Sequence, residues 1–147
     1  MKEVTIYTDG ACTGNPGPGG YAAILMFKGA EKVISGAEKE TTNNRMELLA
    51  VINGLLALKE PCKVNLYSDS QYVVDAFNKN WIQDWQARGW KTSDKKDVKN
   101  RDLWIILLGL LNMHKVTFIK VKGHADNEFN NKCDKIAREE YKKFLTN

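Results

Sequence analysis

The stretch Val4-Thr-Ile-Tyr-Thr-Asp9 alternates along the chain with a period of two residues and ends in a carboxylate. A second stretch of the same kind, Val64-Asn-Leu-Tyr-Ser-Asp69, also ends in a carboxylate. Both stretches are rich in β-branched and aromatic residues, which is typical of short strands. If the two strands pair, Asp9 and Asp69 come together at the same end of a sheet.

The connection between the two stretches predicts how they pair. A helical pattern over about 43–59 separates them, and a strand-helix-strand crossover of this length indicates parallel pairing. Strands at about 2–9, 20–28 and 31–38 are joined by short turns, which indicates antiparallel neighbours. The remaining elements are a strand at about 115–121 and four helices at about 70–78, 81–88, 100–112 and 127–144. The sequence therefore predicts one mixed α/β domain over 1–147.

Composition limits the class of protein. The chain has 147 residues, of which 43% are hydrophobic and 27% are charged, as expected for one globular domain. The longest apolar run, over 103–111, is too short to span a membrane, and the first residues do not resemble a secretion signal. The three cysteines form no Cys-x-x-Cys pair, so we expect reduced thiols in a cytoplasmic protein and no zinc site.

Two further acids join Asp9 and Asp69 as candidate functional residues. Glu47 lies in the first turn of the predicted helix over 43–59, and Asp134 lies early in the last helix. A cluster of like charges repels itself and persists only if cations lie between its members. Carboxylates are the ligands of hard metals, which act on phosphate substrates. The four acids therefore predict a hard-metal site.

Each acid also has a purely structural interpretation. Glu47 follows Asn44 by the spacing of a capping box, and Asp69 could cap the helix over 70–78. Asp9 could belong to a turn, and Asp134 could be one charge on a solvated helix face. Each structural interpretation is favoured singly, but the predicted topology brings two strand ends and a helix start to one sheet edge. In α/β sheets that edge is the usual ligand site.

The segment Gly14-Asn-Pro-Gly-Pro-Gly-Gly20 connects the first two predicted strands. It lacks the Gly-Lys-Ser/Thr ending of a P-loop and does not open a helix, so it is not a phosphate-binding loop of that kind. We interpret its glycines as serving turn conformations. The functional alternative is that a backbone without side chains lets a nucleic-acid strand approach beside Asp9.

Long ordered motifs carry a resemblance to a known family. They are Tyr7-Thr-Asp-Gly-Ala-Cys-Thr-Gly-Asn-Pro-Gly-Pro-Gly-Gly20, Thr41-Thr-Asn-Asn-Arg-Met-Glu-Leu48, Ser68-Asp-Ser-Gln-Tyr-Val73, the segment 81–100, Val121-Lys-Gly-His-Ala125 and Cys133-Asp134. In these motifs the chain resembles type 1 ribonuclease H of the bacterial kind from end to end. The resemblance implies a ribonuclease H-like fold, a five-stranded sheet in order 3-2-1-4-5 flanked by helices. It also implies endonucleolytic hydrolysis of the RNA strand of RNA/DNA hybrids, leaving 5′-phosphate and 3′-hydroxyl ends.

The resemblance also implies the catalytic residues, which are Asp9, Glu47, Asp69 and Asp134 as metal ligands and His124 in a mobile loop. Two Mg²⁺ ions, for which Mn²⁺ could substitute, would activate the attacking water and stabilise the leaving 3′-oxygen. His124 could shuttle protons or help the product leave, although an exposed loop histidine needs no such role. We interpret the other histidine, His114, as a surface residue at a helix end.

The substrate-binding residues follow from the same resemblance. Small polar side chains would line the minor groove of the hybrid, and they are Cys12, Asn15, Asn43, Asn44 and Gln71. A DNA-strand phosphate would lie near Thr42 and Asn100. The chain departs from the family at Glu40, where a base is expected, and at Asp126 and Asn131, where Gly and Glu are more usual. These departures leave the rate and the metal preference open.

The segment over 79–101, which we call the basic arm, has seven basic residues against three acids. It matches the basic protrusion of the family. We expect its tryptophans, among them Trp81, to pack inward as anchors, and its lysines to face phosphates. Those lysines are Lys91, Lys95, Lys96 and Lys99. The alternative interpretation is a solvated surface helix with no binding role.

Two other classes of protein remain as alternatives. A catalytically silent module that binds hybrids would keep the basic arm but is expected to lose a carboxylate. A different nuclease or an integrase on the same fold would share the acids but not the groove residues Asn43, Asn44 and Gln71. We expect a monomer whose partner is the RNA/DNA hybrid, with no membrane and no protein partner.

Overall fold

In the part of the chain that the structure describes, five strands form one sheet in the order β3-β2-β1-β4-β5. This computed structural model describes residues 1–122 and 127–145. The strands are β1 (Lys2–Cys12), β2 (Gly17–Phe27), β3 (Ala30–Thr41), β4 (Cys62–Ser68) and β5 (Lys115–Lys120). The helices are α1 (Asn43–Leu56), α2 (Gln71–Asn78), α3 (Trp81–Ala87), α4 (Arg101–Leu111) and α5 (Glu128–Lys142). The order of the strands and the mixed α/β class are those expected from the sequence.

The register of β1 places two of the predicted acids side by side. β1 pairs in parallel with β4, and the last pair of that ladder is Thr8 with Ser68. Asp9 and Asp69 each follow this pair directly, so the expected meeting at one sheet edge is confirmed. The expectation that β1 ends at Asp9 is wrong, because its antiparallel ladder with β2 continues to the pair of Cys12 with Gly19.

The two faces of the sheet are covered by different helices. Ile6 and Leu25 point to a core shared with α1, α2 and α4, whereas Ala22 and Ile24 pack against α5. Glycines in the sheet allow α1 and α5 to come close to it. A Cβ on Gly10 would overlap the backbone of α1, and one on Gly20 would overlap the backbone of α5.

These contacts correct the interpretation of the segment over 14–20. Gly14 has a φ of 121°, which suits a turn that favours glycine. Gly17, Gly19 and Gly20 instead lie within β2. A Cβ on Gly19 would lie 2.6 Å from Cγ2 of Thr41. Most of these glycines are therefore required by close packing rather than by turn conformation.

The helix starts exclude two structural interpretations of the acids. Thr42 caps α1, since its side chain accepts a hydrogen bond from the backbone N–H of Arg45. Glu47 is the fifth residue of α1, so the capping box with Asn44 and the placement in the first turn are both wrong. Ser70, not Asp69, caps α2 by accepting from the backbone N–H of Val73.

His114 differs from its interpretation as a surface residue. The residue is buried, and its Nδ1 accepts a hydrogen bond of 3.1 Å from the backbone N–H of Cys62. It thereby joins the end of α4 to the start of β4. No helix in the described ranges is both long and apolar enough to cross a bilayer.

Candidate active site

Three of the predicted acids converge where the parallel ladder between β1 and β4 ends. Asp9, Glu47 and Asp69 each offer a carboxylate oxygen, and these oxygens all lie within 4.8 Å of one another. The strand register places the two aspartates, and the close approach of α1 to Gly10 places Glu47. Asp134 comes from α5 and lines the same open cleft, whose volume is about 610 Å³.

Burial and like charge make this cluster costly without a cation. Asp9 and Glu47 are 3% and 5% exposed. Burial, the charge of Asp69 and the carboxyl group of Asp134 raise the pKa of Asp9 to about 9. Burial and the charges of Asp9 and Asp69 raise the pKa of Glu47 well above its usual value. Both shifts have the same physical cause, since burial and the neighbouring acids disfavour the ionised form of each carboxyl group.

The donor set fits a hard divalent cation. Asp9 Oδ2 and Glu47 Oε1 are buried and have no hydrogen-bond partner within residues 1–122 and 127–145. Buried polar atoms almost always have a hydrogen-bond partner, so these two oxygens are candidate ligands of a cation. Carboxylate oxygens are the donors that Mg²⁺ takes in proteins, with water and phosphate completing its shell.

Asp134 pairs with a neighbour on α5, and a second residue of the same helix bonds to β1. Its Oδ2 lies 3.0 Å from the guanidinium of Arg138, one helical turn away. Asn130, one turn before Asp134, is buried and donates from Nδ2 to the carbonyl of Thr8 at 3.2 Å. The sequence interpretation missed both residues, although their spacing of four from Asp134 places all three on one helix face.

The predicted groove residues surround the acids. Cys12, Asn43, Asn44 and Gln71 line the same cleft as the four carboxylates. Asn15 lies beside them, because its Oδ1 accepts a hydrogen bond of 3.0 Å from the backbone N–H of Asn43. The structure therefore brings together residues from separate segments of the sequence.

Arg45 links the two residues expected near a DNA-strand phosphate. Its backbone N–H donates to Thr42 Oγ1 at 3.3 Å, and its Nη1 donates to Asn100 Oδ1 at 3.3 Å. The guanidinium also holds both carboxylate oxygens of Asp102, at 3.0 and 2.9 Å. Asn100 donates in turn to the hydroxyl of Tyr72 at 3.2 Å. Sequence patterns did not reveal this connection, since its members lie on different helices.

The basic arm has the expected anchor. The rings of Trp81 and Trp85 lie 6.3 Å apart, and the rings of Trp85 and Trp90 lie 6.2 Å apart. All three pack against the core, which confirms that the tryptophans point inward. The predicted phosphate-facing lysines are exposed, and they are Lys91, Lys95, Lys96 and Lys99. Lys91 forms an ion pair with Asp97, so its charge is already partly compensated.

His124 and Asp126 lie outside the described residues, so the role of His124 stays a prediction. Of the other departures from the family, Glu40 is exposed near the end of β3, and Asn131 is exposed early in α5.

Comparisons with known proteins show the family of this chain. The family model for RNase H matches residues 1–142. The chain is 62% identical over 143 residues to a ribonuclease H from Acetivibrio thermocellus, and the match covers 97% of each chain. It is 63% identical over 143 residues to a ribonuclease H from Thermoanaerobacter sp. strain X514, covering 97% of this chain and 92% of the relative.

Solved structures show the same fold. LC9-RNase H1, described as a type 1 RNase H with the type 2 active-site motif, superposes with a TM-score of 0.87 at 29% identity, covering 97% of this chain and 74% of that one. LC11-RNase H1, solved in complex with an RNA/DNA hybrid, superposes with a TM-score of 0.68 at 22% identity, covering 97% and 99%. With its family match, its relatives and its carboxylate cleft, the chain belongs to the ribonuclease H family, nucleases that hydrolyse the RNA strand of RNA/DNA hybrids.

Proposed function

We propose that this enzyme cleaves the RNA strand at the cleft formed by Asp9, Glu47, Asp69 and Asp134, with two Mg²⁺ ions held by these carboxylates. The observation that carries the proposal is the convergence of buried carboxylates, two of whose oxygens lack a hydrogen-bond partner within the described ranges. Mn²⁺, which also takes oxygen ligands, would substitute. When bound, the ions would activate water and stabilise the leaving 3′-oxygen.

Asp9 has a central place among the four ligands. Its carboxyl group interacts with those of Glu47, Asp69 and Asp134. It is therefore the residue best suited to share its oxygens between two ions. Asp69 and Asp134 are only half-buried, which leaves room for substrate phosphate and water beside them.

The surrounding residues would select the hybrid. The polar groove residues would contact 2′-hydroxyls across a wide minor groove, which distinguishes RNA from DNA. Thr42 and Asn100 would hold a DNA-strand phosphate. The lysines of the basic arm, with the exposed part of the half-buried Trp81, would hold the duplex farther from the carboxylates. His124 would shuttle a proton or assist product release, leaving 5′-phosphate and 3′-hydroxyl ends.

We also propose that the enzyme acts as a monomer in the cytoplasm. The cleft is lined by residues of one chain, so the carboxylate cluster needs no second copy. The free thiols of Cys12, Cys62 and Cys133 support a reducing compartment.

Substitution of a central ligand tests the site. We expect Asp9→Asn to fold and to lower cleavage of an RNA/DNA hybrid in Mg²⁺ by about 10²–10³-fold or more, as for loss of one key electrostatic group. Glu139→Gln, which removes a negative charge from an exposed position of α5, is the matched control and keeps the activity. Cleavage by Asp9→Asn within about tenfold of the parent would exclude Asp9 as a shared ligand.

The same assay separates the alternatives when DNA/DNA and RNA/RNA duplexes are included, with and without Mg²⁺. A silent binding module would bind the hybrid but cleave none of the three duplexes. A nuclease of another class on this fold would cleave DNA/DNA duplexes. Cleavage restricted to the hybrid and dependent on the metal is the result expected here.

A further inference from the structure

A hydrogen bond within α2 joins a groove residue to a buried acid. Gln71 is the first residue of α2, is exposed, and lines the cleft. Its Nε2 donates to Oδ1 of Asp75 at 2.5 Å. Asp75 lies one turn further along and is only 7% exposed. Its other oxygen, Oδ2, lies 3.3 Å from the ammonium group of Lys79.

This contact decides which atom of Gln71 faces a ligand. An ionised carboxylate can only accept hydrogen bonds, so the nitrogen of the Gln71 amide must face Asp75. The carbonyl oxygen Oε1 then faces away from Asp75 and is the acceptor of the amide that can meet a bound molecule, beside the second N–H of Nε2. Without Asp75 the amide could turn over and present a donor in place of an acceptor.

We propose that Asp75 is a positioning residue that holds Gln71 with Oε1 toward the cleft, where it accepts a hydrogen bond from a donor on the minor-groove side of the hybrid. The inference rests on the proposed function, since it assumes that the cleft binds a hybrid. Two groups of the hybrid offer such a donor, the 2′-hydroxyl of the RNA strand and the N2 amino group of guanine.

A simpler role for the pair is helix stabilisation. Glutamine and aspartate four residues apart stabilise a helix on their own, wherever they lie. If this is the only role, substitution of Asp75 changes the stability of the fold, and any effect on substrate binding is the same with and without Gln71. The two roles therefore differ in whether the effect of Asp75 on substrate binding disappears when Gln71 is absent.

A double-mutant cycle tests this dependence. Asp75→Asn keeps the size of the side chain but replaces one of the two oxygens, which face Gln71 and Lys79, with an NH2 group that only donates. We expect it to raise KM for the hybrid by about 3- to 10-fold, the range of one lost hydrogen bond, with a smaller change in kcat. In the Gln71→Ala background the same substitution should leave KM unchanged.

Two further variants keep the test decisive if Asp75→Asn is poorly folded. Asp75→Ala removes both acceptor oxygens and should show the same dependence on Gln71. Asn78→Gly, at the exposed end of α2, weakens the helix without touching either residue and should leave KM unchanged. Thermal unfolding of each variant shows how far α2 has been weakened.

Modified substrates identify the donor. RNA strands with a single 2′-deoxynucleotide, placed at successive positions, remove one hydroxyl at a time, and inosine in place of guanosine removes the N2 amino group. At the position that Gln71 reads, the loss seen with the parent enzyme should shrink in Asp75→Asn and vanish in Gln71→Ala. If this occurs with the 2′-deoxynucleotides, the donor is a 2′-hydroxyl of the RNA strand. If it occurs with inosine, the donor is the N2 amino group of guanine.

The outcomes separate the inference from the proposed function. If Gln71→Ala raises KM but Asp75→Asn changes KM equally in both backgrounds, or not at all, Asp75 does not position Gln71 and the proposed function stands. If Gln71→Ala leaves KM unchanged, the positioning role is overturned together with the groove contact. If the parent enzyme does not cleave the hybrid, the proposed function itself is wrong.

Discussion

Two glycines in the last turns of their helices have opposite surroundings. Gly54 in α1 is buried, and a Cβ there would lie 3.2 Å from Cβ of Ala23 and 3.3 Å from Cγ2 of Ile6. Gly109 in α4 is exposed, and a Cβ there would meet nothing within 4 Å. Helix propensity alone predicts that alanine stabilises both positions by about 1 kcal/mol.

We therefore expect the two alanine substitutions to differ in sign. Gly109→Ala should raise the free energy of unfolding by about 0.5–1 kcal/mol, since nothing opposes the gain in helix propensity. Gly54→Ala should lose this gain to crowding between α1 and the sheet, and lower the free energy by up to about 2 kcal/mol. Urea unfolding measures both. Equal stabilisation would show that α1 can shift away from the sheet at no cost.

At the scale of elements, one set of residues packs the basic arm against the core, and another set carries its positive charge. Its tryptophans pack on the core, whereas Lys95, Lys96 and Lys99 are exposed. The arm contributes no carboxylate to the cleft. Its lysines should therefore affect binding of the hybrid rather than the chemical step.

We expect alanine at Lys95, Lys96 and Lys99 together to raise KM for the hybrid far more than it lowers kcat. The slope of log affinity against log salt should become shallower by about 0.9 for each phosphate that the variant no longer neutralises. Lys91 is left in place because it pairs with Asp97. Urea midpoints should barely move, as exposed charges contribute little to stability.

The matched control removes three exposed lysines near the starts of β4 and β5, at the end of these strands away from the cleft, and they are Lys59, Lys63 and Lys115. It changes the net charge equally but should leave the salt slope nearly unchanged. If the arm variant and the control have the same slope, the arm acts only through net charge. A fall in kcat with KM unchanged would place the arm in the chemical step.

For the whole molecule, the carboxylate cluster should make the stability of the metal-free enzyme depend on pH. The pKa of Asp9 rises from 3.8 to about 9 on folding. Below pH 3.8 the folded and the unfolded chain both hold this proton, so Asp9 does not lower the free energy of unfolding. Between the two values the unfolded chain releases a proton that the folded chain retains. The free energy of unfolding therefore falls as the pH rises through this window.

Asp9→Asn should remove part of this dependence. In chelator, we expect it to raise Tm more at about pH 8 than at about pH 5, by at least ~1 kcal/mol in unfolding free energy or ~2–4 °C. Saturating Mg²⁺ should restore the Tm of the parent enzyme at pH 8 but help the variant less. Glu139→Gln should follow the parent in each condition. An equal gain at both pH values would show that Asp9 is ionised in the metal-free fold.

Local pattern by itself determined much of this protein. Alternation predicted the strands, and the length of the crossover predicted the parallel pairing that joins Asp9 to Asp69. The ordered motifs identified the family and the set of candidate ligands. These properties depend on neighbouring residues and on short connections, which are visible along the chain.

Only the tertiary structure decided how elements meet. It buried Glu47 against Gly10, moved the caps to Thr42 and Ser70, and buried His114 at the start of β4. It also joined Thr42 to Asn100 through Arg45. Such contacts depend on the distance and orientation of packed elements, and a side chain's own neighbours in sequence carry no record of them. The convergence of the candidate acids was therefore predictable from the sequence, whereas their burial, their raised pKa values and their supporting contacts were not.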